Sequence, residues 1–396
     1  MVEENQMSIP HLFRCPISLD LFTDPVTLST GQTYDRPSIE KWLAGGNSTC
    51  PVTMQRLNDF SVVPNHNLRQ YIHRWLLRDA DDRGSNQASG IPVSLTVLKN
   101  SLQCSHTPPV ARLAALRKVR ILSAESDVGK SFLIQLGFFR VLFELVFPCC
   151  AMEEIHFEFV ELALDCILHL SPLAHSNSVN ALKQDAAFDS LVLLLEQGST
   201  KIKTSLCILI EEIASSPTTG DVCNLLGQSQ RVLQILVSLL LRSRSTEKEA
   251  AAPAAARAIA GICTSSENNR ANAIAEGAVE GLVMYLSTCV SRNVSSALAA
   301  MEVLMEEEEG RKTAIKAGAV RVIVNWVFRV SAREEGSECA VGVLMALCRV
   351  SERAREEAVA AGAVMQLLLL LQSQCSGAAK ASARGLLKLL KSSFRY

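Results

Sequence analysis

Ala317-Gly318-Ala319-Val320 decides the fold, because the chain repeats it. Glu276-Gly277-Ala278-Val279 precedes it and Ala361-Gly362-Ala363-Val364 follows, with the glycines 41 and 44 residues apart. An aliphatic residue stands three places before each glycine (Ile274, Ile315, Val359), and an apolar run follows each (Leu282-Val283, Ile323-Val324, Leu367-Leu368). Fainter copies lie upstream. Ile134 precedes Gly137 and Val141-Leu142, Ala186 takes the glycine place before Leu191-Val192, and Gly227 precedes Val232-Leu233, which makes six units. Glycine adopts left-handed backbone without a Cβ penalty, so each glycine reads as a helix terminator and carries no chemistry. A second helix then packs back, and a third, such as Val294 to Met305, runs antiparallel. No such unit buries its apolar face alone, so the units stack.

A helical period near 41 residues is the signature of armadillo or HEAT repeats. The Gly-Ala-Val openings resemble armadillo repeats in particular, over about Val110 to Leu390. Composition agrees: 48% of residues are hydrophobic and only 5% aromatic, so small aliphatic side chains fill the core. Peptide-carrying armadillo proteins grip an extended backbone with a ladder of Asn on the third helices. Here those helices read Asp165-Cys166-Ile167-Leu168-His169-Leu170, Ala258-Ile259-Ala260-Gly261-Ile262-Cys263 and Met301-Glu302-Val303-Leu304-Met305. The expected partner is therefore a folded protein or a helical segment. Glu306-Glu307-Glu308-Glu309 reads as a solvated connection, and Pro253 as a first-turn or bending residue. Phe138, Phe139 and Trp326 read as core, and Lys388-Leu389-Leu390-Lys391 as a helix end whose cations suit the dipole.

A chain of 396 residues exceeds one ordinary domain. Its formal net charge of −1 argues against nucleic acid held by general electrostatics. The 13 cysteines are scattered, mostly through apolar helical stretches, which fits a reducing compartment. Met1-Val2-Glu3-Glu4-Asn5-Gln6 is no signal peptide, and no apolar run reaches the roughly 18–20 residues of a membrane span. The expected location is the cytoplasm, with the nucleus as a second possibility.

Residues 8–78 differ in character. The order is Ile9-Pro10-His11-Leu12-Phe13-Arg14-Cys15-Pro16-Ile17-Ser18-Leu19-Asp20, Asp24-Pro25-Val26-Thr27, Thr30-Gly31-Gln32-Thr33-Tyr34-Asp35-Arg36, Ile39-Glu40-Lys41-Trp42-Leu43, Cys50-Pro51-Val52-Thr53 and Pro64-Asn65-His66-Asn67-Leu68-Arg69. A RING finger needs eight Cys or His ligands in paired spacing, and residues 1–82 offer Cys15, Cys50, His11, His66 and His73 with no C-x₂-C pair. No metal is expected. Pro25 to Leu28 reads as a strand, Ser29-Thr30-Gly31-Gln32 as a tight turn and Asp35 as a helix N-cap with Pro37 in the first turn. Ile39, Trp42 and Leu43 share one helical face. Pro64-Asn65 opens a last helix with Leu68, Ile72, Trp75 and Leu76 on its apolar stripe.

This run closely resembles the U-box family, a zinc-free relative of the RING finger that binds ubiquitin-conjugating enzymes. The resemblance implies a small α+β module held by polar bonds, with Ser18, Asp20, Thr33, Tyr34, Asp35, Arg36 and Thr49 as candidates for them. It implies that Ile17, Leu19, Trp42 and Pro51 contact the conjugating enzyme. Ordinary core is the competing reading, and a serious one for Leu19 and Trp42, because a module of this size needs its large side chains inside. Cys15 and Cys50 read as small buried residues, with no base implied beside either. The implied mechanism has no covalent intermediate on this chain and needs no cofactor. The module holds the enzyme–ubiquitin conjugate in its reactive pose. Many ligases of this class place a basic side chain just after the second loop. The matching place here holds Met54, so the activation step is weaker unless Gln55 or Arg56 substitutes.

Plant members of the family join the U-box to armadillo repeats in this order. The resemblance thus implies a ubiquitin ligase with a U-box at 8–78, a linker with room for a first helix at 79–109, armadillo repeats at 110–391 and a tail at 392–396. Its partners would be a conjugating enzyme, ubiquitin, a protein substrate and, as in some U-boxes, a second copy. A plant stress or defence role comes by the same analogy. The alternative is a catalytically weak armadillo adaptor.

Overall fold

The computed structural model describes residues 11–57, 59–72, 95–104, 106–125, 127–148, 156–170, 176–241, 251–289, 294–328 and 336–392. Residues 79–94 of the expected linker, Trp75, Leu76 and the last four residues of the tail lie outside them, while residues 95–103 form the first helix for which the linker had room. Packing divides the chain into two units, Met1–Leu142 with Asp165–Leu170, and Phe143–Leu164 with Ser171–Tyr396.

The first unit opens on a three-stranded antiparallel sheet of β1 (Pro25–Thr27), β2 (Thr33–Asp35) and β3 (Val63–Pro64), ordered β2-β1-β3. Helix α1 (Arg36–Ala44) follows β2, and α2 covers residues 66–72. Val26 pairs with Tyr34 on one side and with Pro64 on the other. Cys15, Phe22, Val26, Leu28, Tyr34, Ile39, Cys50, Leu57 and Ile72 form the core. The expected turn is present: Gly31 has φ 80° and donates to the Leu28 carbonyl. The α2 start is present too, because the Asn65 side chain accepts from the Leu68 N–H at 3.0 Å.

Asp35 departs from expectation. It occupies the N-cap place of α1 in extended conformation, yet its side chain makes no cap bond. The carboxylate instead accepts from the Thr23 N–H (2.8 Å), the Thr23 hydroxyl (2.6 Å) and the Asp24 N–H (2.7 Å). Three donors from one loop outcompete a single helix-end amide.

Helices α3 (Leu95–Gln103), α4 (Pro109–Glu125) and α5 (Asp127–Gln135) complete the first unit. Helices α6 (Phe138–Val146) and α7 (Phe157–Leu170) are divided between the units. The second unit continues with α8 (Ser176–Val179), α9 (Asp185–Gln197) and α10 (Thr200–Ser215). Then come α11 (Gly220–Gln228), α12 (Gln230–Leu241) and α13 (Ala251–Ser265), and next α14 (Glu267–Ala275), α15 (Ala278–Thr288) and α16 (Ser295–Leu304). The last two triplets are α17 (Glu308–Lys316), α18 (Ala319–Val324) and α19 (Gly336–Val350), and α20 (Glu352–Ala360), α21 (Ala363–Gln372) and α22 (Gly377–Ser392). Third helices stack on one another: α10 on α13, α13 on α16, α16 on α19 and α19 on α22. Phe138 and Phe139 are buried, as is Trp326, whose indole donates to the Leu286 carbonyl at 2.9 Å. Pro253 sits at the third residue of α13, where no intrahelical donor is needed.

Gly277, Gly318 and Gly362 have φ of 82°, 72° and 87°, the left-handed caps that the spacing predicts, and Gly137 has 72°. The other two units turn differently. Ala186 lies inside α9, whose entry is an extended Gln184 (φ −85°, ψ 133°), a conformation open to any residue. Gly227 lies inside α11 and is not a terminator. A Cβ there would come within 2.3 Å of the Asn269 side chain, so its role is close approach.

The acidic run joins α16 to α17 with Glu306, Glu308 and Glu309 exposed, as expected of a solvated connection, and it carries ion pairs as well. Glu307 takes the Arg270 guanidinium at 2.7 Å and Glu306 takes it at 3.3 Å, while Glu308 pairs with Lys312 at 2.8 Å. Arg270 also donates to the Cys263 carbonyl, and Arg311, one unit later, donates to the Glu306 carbonyl at 2.8 Å. Each arginine serves carbonyls that the end of a third helix leaves open. Among the described residues, no helix is long and apolar enough to cross a membrane.

Candidate functional site

The two loops that carry the expected binding residues are built alike. Cys15-Pro16-Ile17-Ser18-Leu19-Asp20 and Cys50-Pro51-Val52-Thr53-Met54-Gln55 match position by position in residue type. In each, the cysteine N–H donates to the carbonyl five residues on, to Asp20 at 2.8 Å and to Gln55 at 2.9 Å. The fourth residue on donates back to the cysteine carbonyl, Leu19 at 2.8 Å and Met54 at 2.9 Å. Ser18 and Thr53 hydroxyls accept from the Asp20 and Gln55 N–H groups, both at 3.4 Å. Bridges Arg14↔Leu21 and Thr49↔Arg56 close the two loops at their feet. The six-residue repeat was visible in the sequence but lies outside the spacing of the helical repeats, so that period does not find it.

The sulfurs anchor these loops. The Asp35 N–H donates to Cys15 Sγ at 3.3 Å. Cys50 Sγ faces the Tyr34 hydroxyl at 2.9 Å and the Thr30 hydroxyl at 3.4 Å. Tyr34 O also accepts from the Val52 N–H at 3.1 Å, which leaves its own proton for the sulfur. Burial pushes the Cys50 thiol up, but hydrogen bonds from Thr30, Thr53 and Tyr34 outweigh it and bring the pKa down to about 6. The Tyr34 phenol moves up, through burial and then through its bond to Cys50. Both cysteines are fully buried, as expected. Cys50 is more acidic than its sequence suggests, yet enclosed, so acidity does not make it a nucleophile.

The rest of the polar frame joins strands to helices. Asp24 binds Arg36 of α1 at 2.6 Å and also Arg69 of α2. Thr33 bonds Thr27 at 3.0 Å, and Asn65 reaches Thr33 at 3.2 Å. Of the expected members, Ser18, Thr33, Tyr34, Asp35 and Arg36 contribute side chains, while Asp20 and Thr49 contribute through their main chains. Thr23, Asp24, Thr30, Asn65, Arg69 and Cys50 were missed, because their partners lie up to 45 residues away. Among the described residues no cluster of three His, Cys, Asp or Glu side chains could hold a metal ion.

Ile17 and Trp42 are half-buried and pack on one core, and the Trp42 indole donates to the Thr49 carbonyl at 2.9 Å, tying α1 to the foot of the second loop. Pro51 is half-buried. Leu19 is 66% exposed, so the core reading fails for it. Val52 (49%) and Met54 (70%) add exposed apolar surface, and Arg56 is exposed at the loop's foot. Such a surface has no nucleophile of its own. It offers apolar side chains on loops that hydrogen bonds have stiffened, which is what docking of another protein requires.

Comparison with known proteins agrees with this construction. A family model for the U-box domain matches residues 9–80, and one for the plant U-box protein ARM repeat region matches 95–396. U-box domain-containing protein 25 of Arabidopsis thaliana is 34% identical over 406 residues, covering 98% of this chain and 92% of the relative. E3 ubiquitin-protein ligase PUB23 of the same plant is 28% identical over 399 residues, covering 98% and 94%. A designed armadillo repeat protein superposes with a TM-score of 0.52 at 22% identity, over 64% of this chain and all of its own, and supports the fold alone. The chain therefore belongs to the plant U-box proteins with armadillo repeats.

Proposed function

We propose that this chain is a ubiquitin ligase whose U-box docks a ubiquitin-charged conjugating enzyme on Ile17, Leu19, Trp42 and Pro51. The observation that carries the reading is the exposure of large apolar side chains on two rigid loops, Leu19 above all. A relative named as an E3 ubiquitin ligase adds support. With Cys15 and Cys50 enclosed, the thioester stays on the conjugating enzyme. The U-box acts by holding the conjugate in its reactive arrangement, so the rate gain comes from orientation and from selecting one conformer. The armadillo repeats recruit the substrate, whose lysines, together with those of this chain, receive ubiquitin in the cytoplasm.

A second reading, an armadillo adaptor with little ligase activity, draws on Met54, which stands where related ligases carry a basic side chain. Purified full-length chain, activating enzyme, several conjugating enzymes, ubiquitin and a chelator separate the two. The ligase reading expects ubiquitin on the chain's own lysines. An unmodified chain with every conjugating enzyme leaves the adaptor.

A further inference from the structure

Stacked third helices meet at a recurring contact. Glu211 of α10 holds Arg257 of α13 at 2.7 Å. Later in the stack a glycine takes the second place: Gly342 of α19 lies against the Glu302 carboxylate of α16, and a Cβ on Gly385 of α22 would come within 3.1 Å of Met345 Cε of α19. The polarity is reversed between α4 and α7, where Arg120 on the earlier helix holds Asp165 on the later one at 2.7 Å. Helix α19 therefore meets its predecessor through Gly342 and its successor through Met345, three residues on. The same step from Gly385 leads to Lys388, which meets no further helix among the described residues.

Lys388 belongs to a cationic stripe. Arg384, Lys388 and Lys391 are exposed at i, i+4 and i+7 on one face of α22, and half-buried Lys380 extends that face to about 16 Å. None of the four side chains makes an ion pair or hydrogen bond among the described residues, and no Asp or Glu follows Glu357 in the sequence. A terminal repeat needs a polar outer face to stay soluble, but charges of both signs serve that end. This face carries one sign, with apolar surface beside it. The sixth residue after the cap glycine is buried in α15 and α18 (Val283 and Val324), whereas in α21 it is Leu368, 45% exposed, with Met365 62% exposed nearby in the same helix.

We propose that α22 receives an acidic amphipathic helix of a recruited protein, laid on it as one more third helix, with a carboxylate on Lys388 and apolar side chains toward Leu387 and Leu368. This rests on the armadillo repeats being the recruiting part of the ligase proposed above, and it names the chemistry they recruit. Charge complementarity selects carboxylates, and the stack that runs from α10 to α22 supplies the packing mode. Carboxylates spaced i, i+4 and i+7 on one helix meet Arg384, Lys388 and Lys391 together, whereas an anionic bilayer would be held by the same cations without regard to order.

Full-length wild type, Lys388→Glu and Arg353→Glu are titrated by fluorescence anisotropy with labelled synthetic helices of leucine, alanine and glutamate. Arg353, an exposed cation of α20, controls for net charge, and Lys388 is exposed, so its reversal spares the fold. One helix carries its glutamates at i, i+4 and i+7 on a single face, a second spreads the same residues round the helix, and a third has lysine for the central glutamate. The one-faced helix should bind wild type and Arg353→Glu alike, and Lys388→Glu about tenfold more weakly, as a like-charge contact implies. The lysine-bearing helix should recover that loss on Lys388→Glu alone. Equal binding of the one-faced and spread helices, binding of neither, or equal loss in both variants overturns the proposal. Binding to phosphatidylserine vesicles, or self-association lost in Lys388→Glu, without binding of the one-faced helix gives the face to a bilayer or a second copy and overturns it too. Self-ubiquitination of the wild-type chain is followed beside these titrations. Modification without helix binding sinks this proposal alone, and helix binding without modification sinks the ligase reading alone.

Discussion

Tyr34→Phe removes one oxygen from the centre of the U-box frame. The ring is fully buried and stays in place, so the perturbation is confined to two hydrogen bonds. One is the Val52 N–H donation at 3.1 Å, a neutral bond worth about 1 kcal/mol net. The other is the donation to Cys50 Sγ at 2.9 Å, which carries charge once the thiol ionises and adds about 1–2 kcal/mol. The loss is about 2–3 kcal/mol and is local to the second loop. Mass-resolved amide exchange at pH 8 reads it directly. Peptides covering residues 49–57 should exchange roughly 30- to 150-fold faster, while a peptide from α10 keeps its wild-type rate. Unchanged protection at 49–57 would refute the role assigned to the tyrosine. Equal acceleration in α10 would show global destabilisation in its place.

Cys50 gives the frame a pH dependence. Its folded pKa of about 6 lies below the ordinary thiol value, so its contribution is fully present above the unfolded pKa of roughly 8.5 and is lost as pH falls through 6. U-box stability measured by urea unfolding should therefore rise between pH 6 and 8.5, and Cys50→Ala should flatten that rise. Gly318→Ala should cost about 1 kcal/mol from backbone alone, since nothing lies within 4 Å of the added Cβ. Gly227→Ala should cost more, about 1–3 kcal/mol, because its Cβ would displace Asn269, and thermal unfolding ranks the two. Arg270→Ala leaves Glu307, only 22% exposed, without its cation and should destabilise by about 1–3 kcal/mol, with α17 losing exchange protection first.

The repeats were legible because left-handed caps leave glycines in register, and three of those six places are unmistakable. Ala186 and Gly227 misled because an extended residue turns a chain as well as a left-handed one does, leaving no glycine to find. The acidic run was legible as an exposed connection but its ion pairs were not, because charge by itself does not reveal Arg270, 36 residues before Glu306, turned toward it. The U-box itself was legible through motif order. Its frame was only half so, since Asp24 meets Arg69 across 45 residues and Asp35 forsakes its own helix for Thr23. Leu19 shows why a short motif leaves burial open. Its exposure follows from a left-handed turn that its sequence neighbours do not announce.

The central claim is that apolar loop residues dock a charged conjugating enzyme without metal. Single-turnover discharge of ubiquitin from a loaded conjugating enzyme to free lysine tests it most directly, with chelator present and wild type beside Ile17→Ala. The account predicts accelerated discharge by wild type, undiminished by chelator and lost in Ile17→Ala with amide protection of the armadillo helices intact. Discharge no faster than in the absence of the chain, or equal acceleration by both proteins, contradicts it.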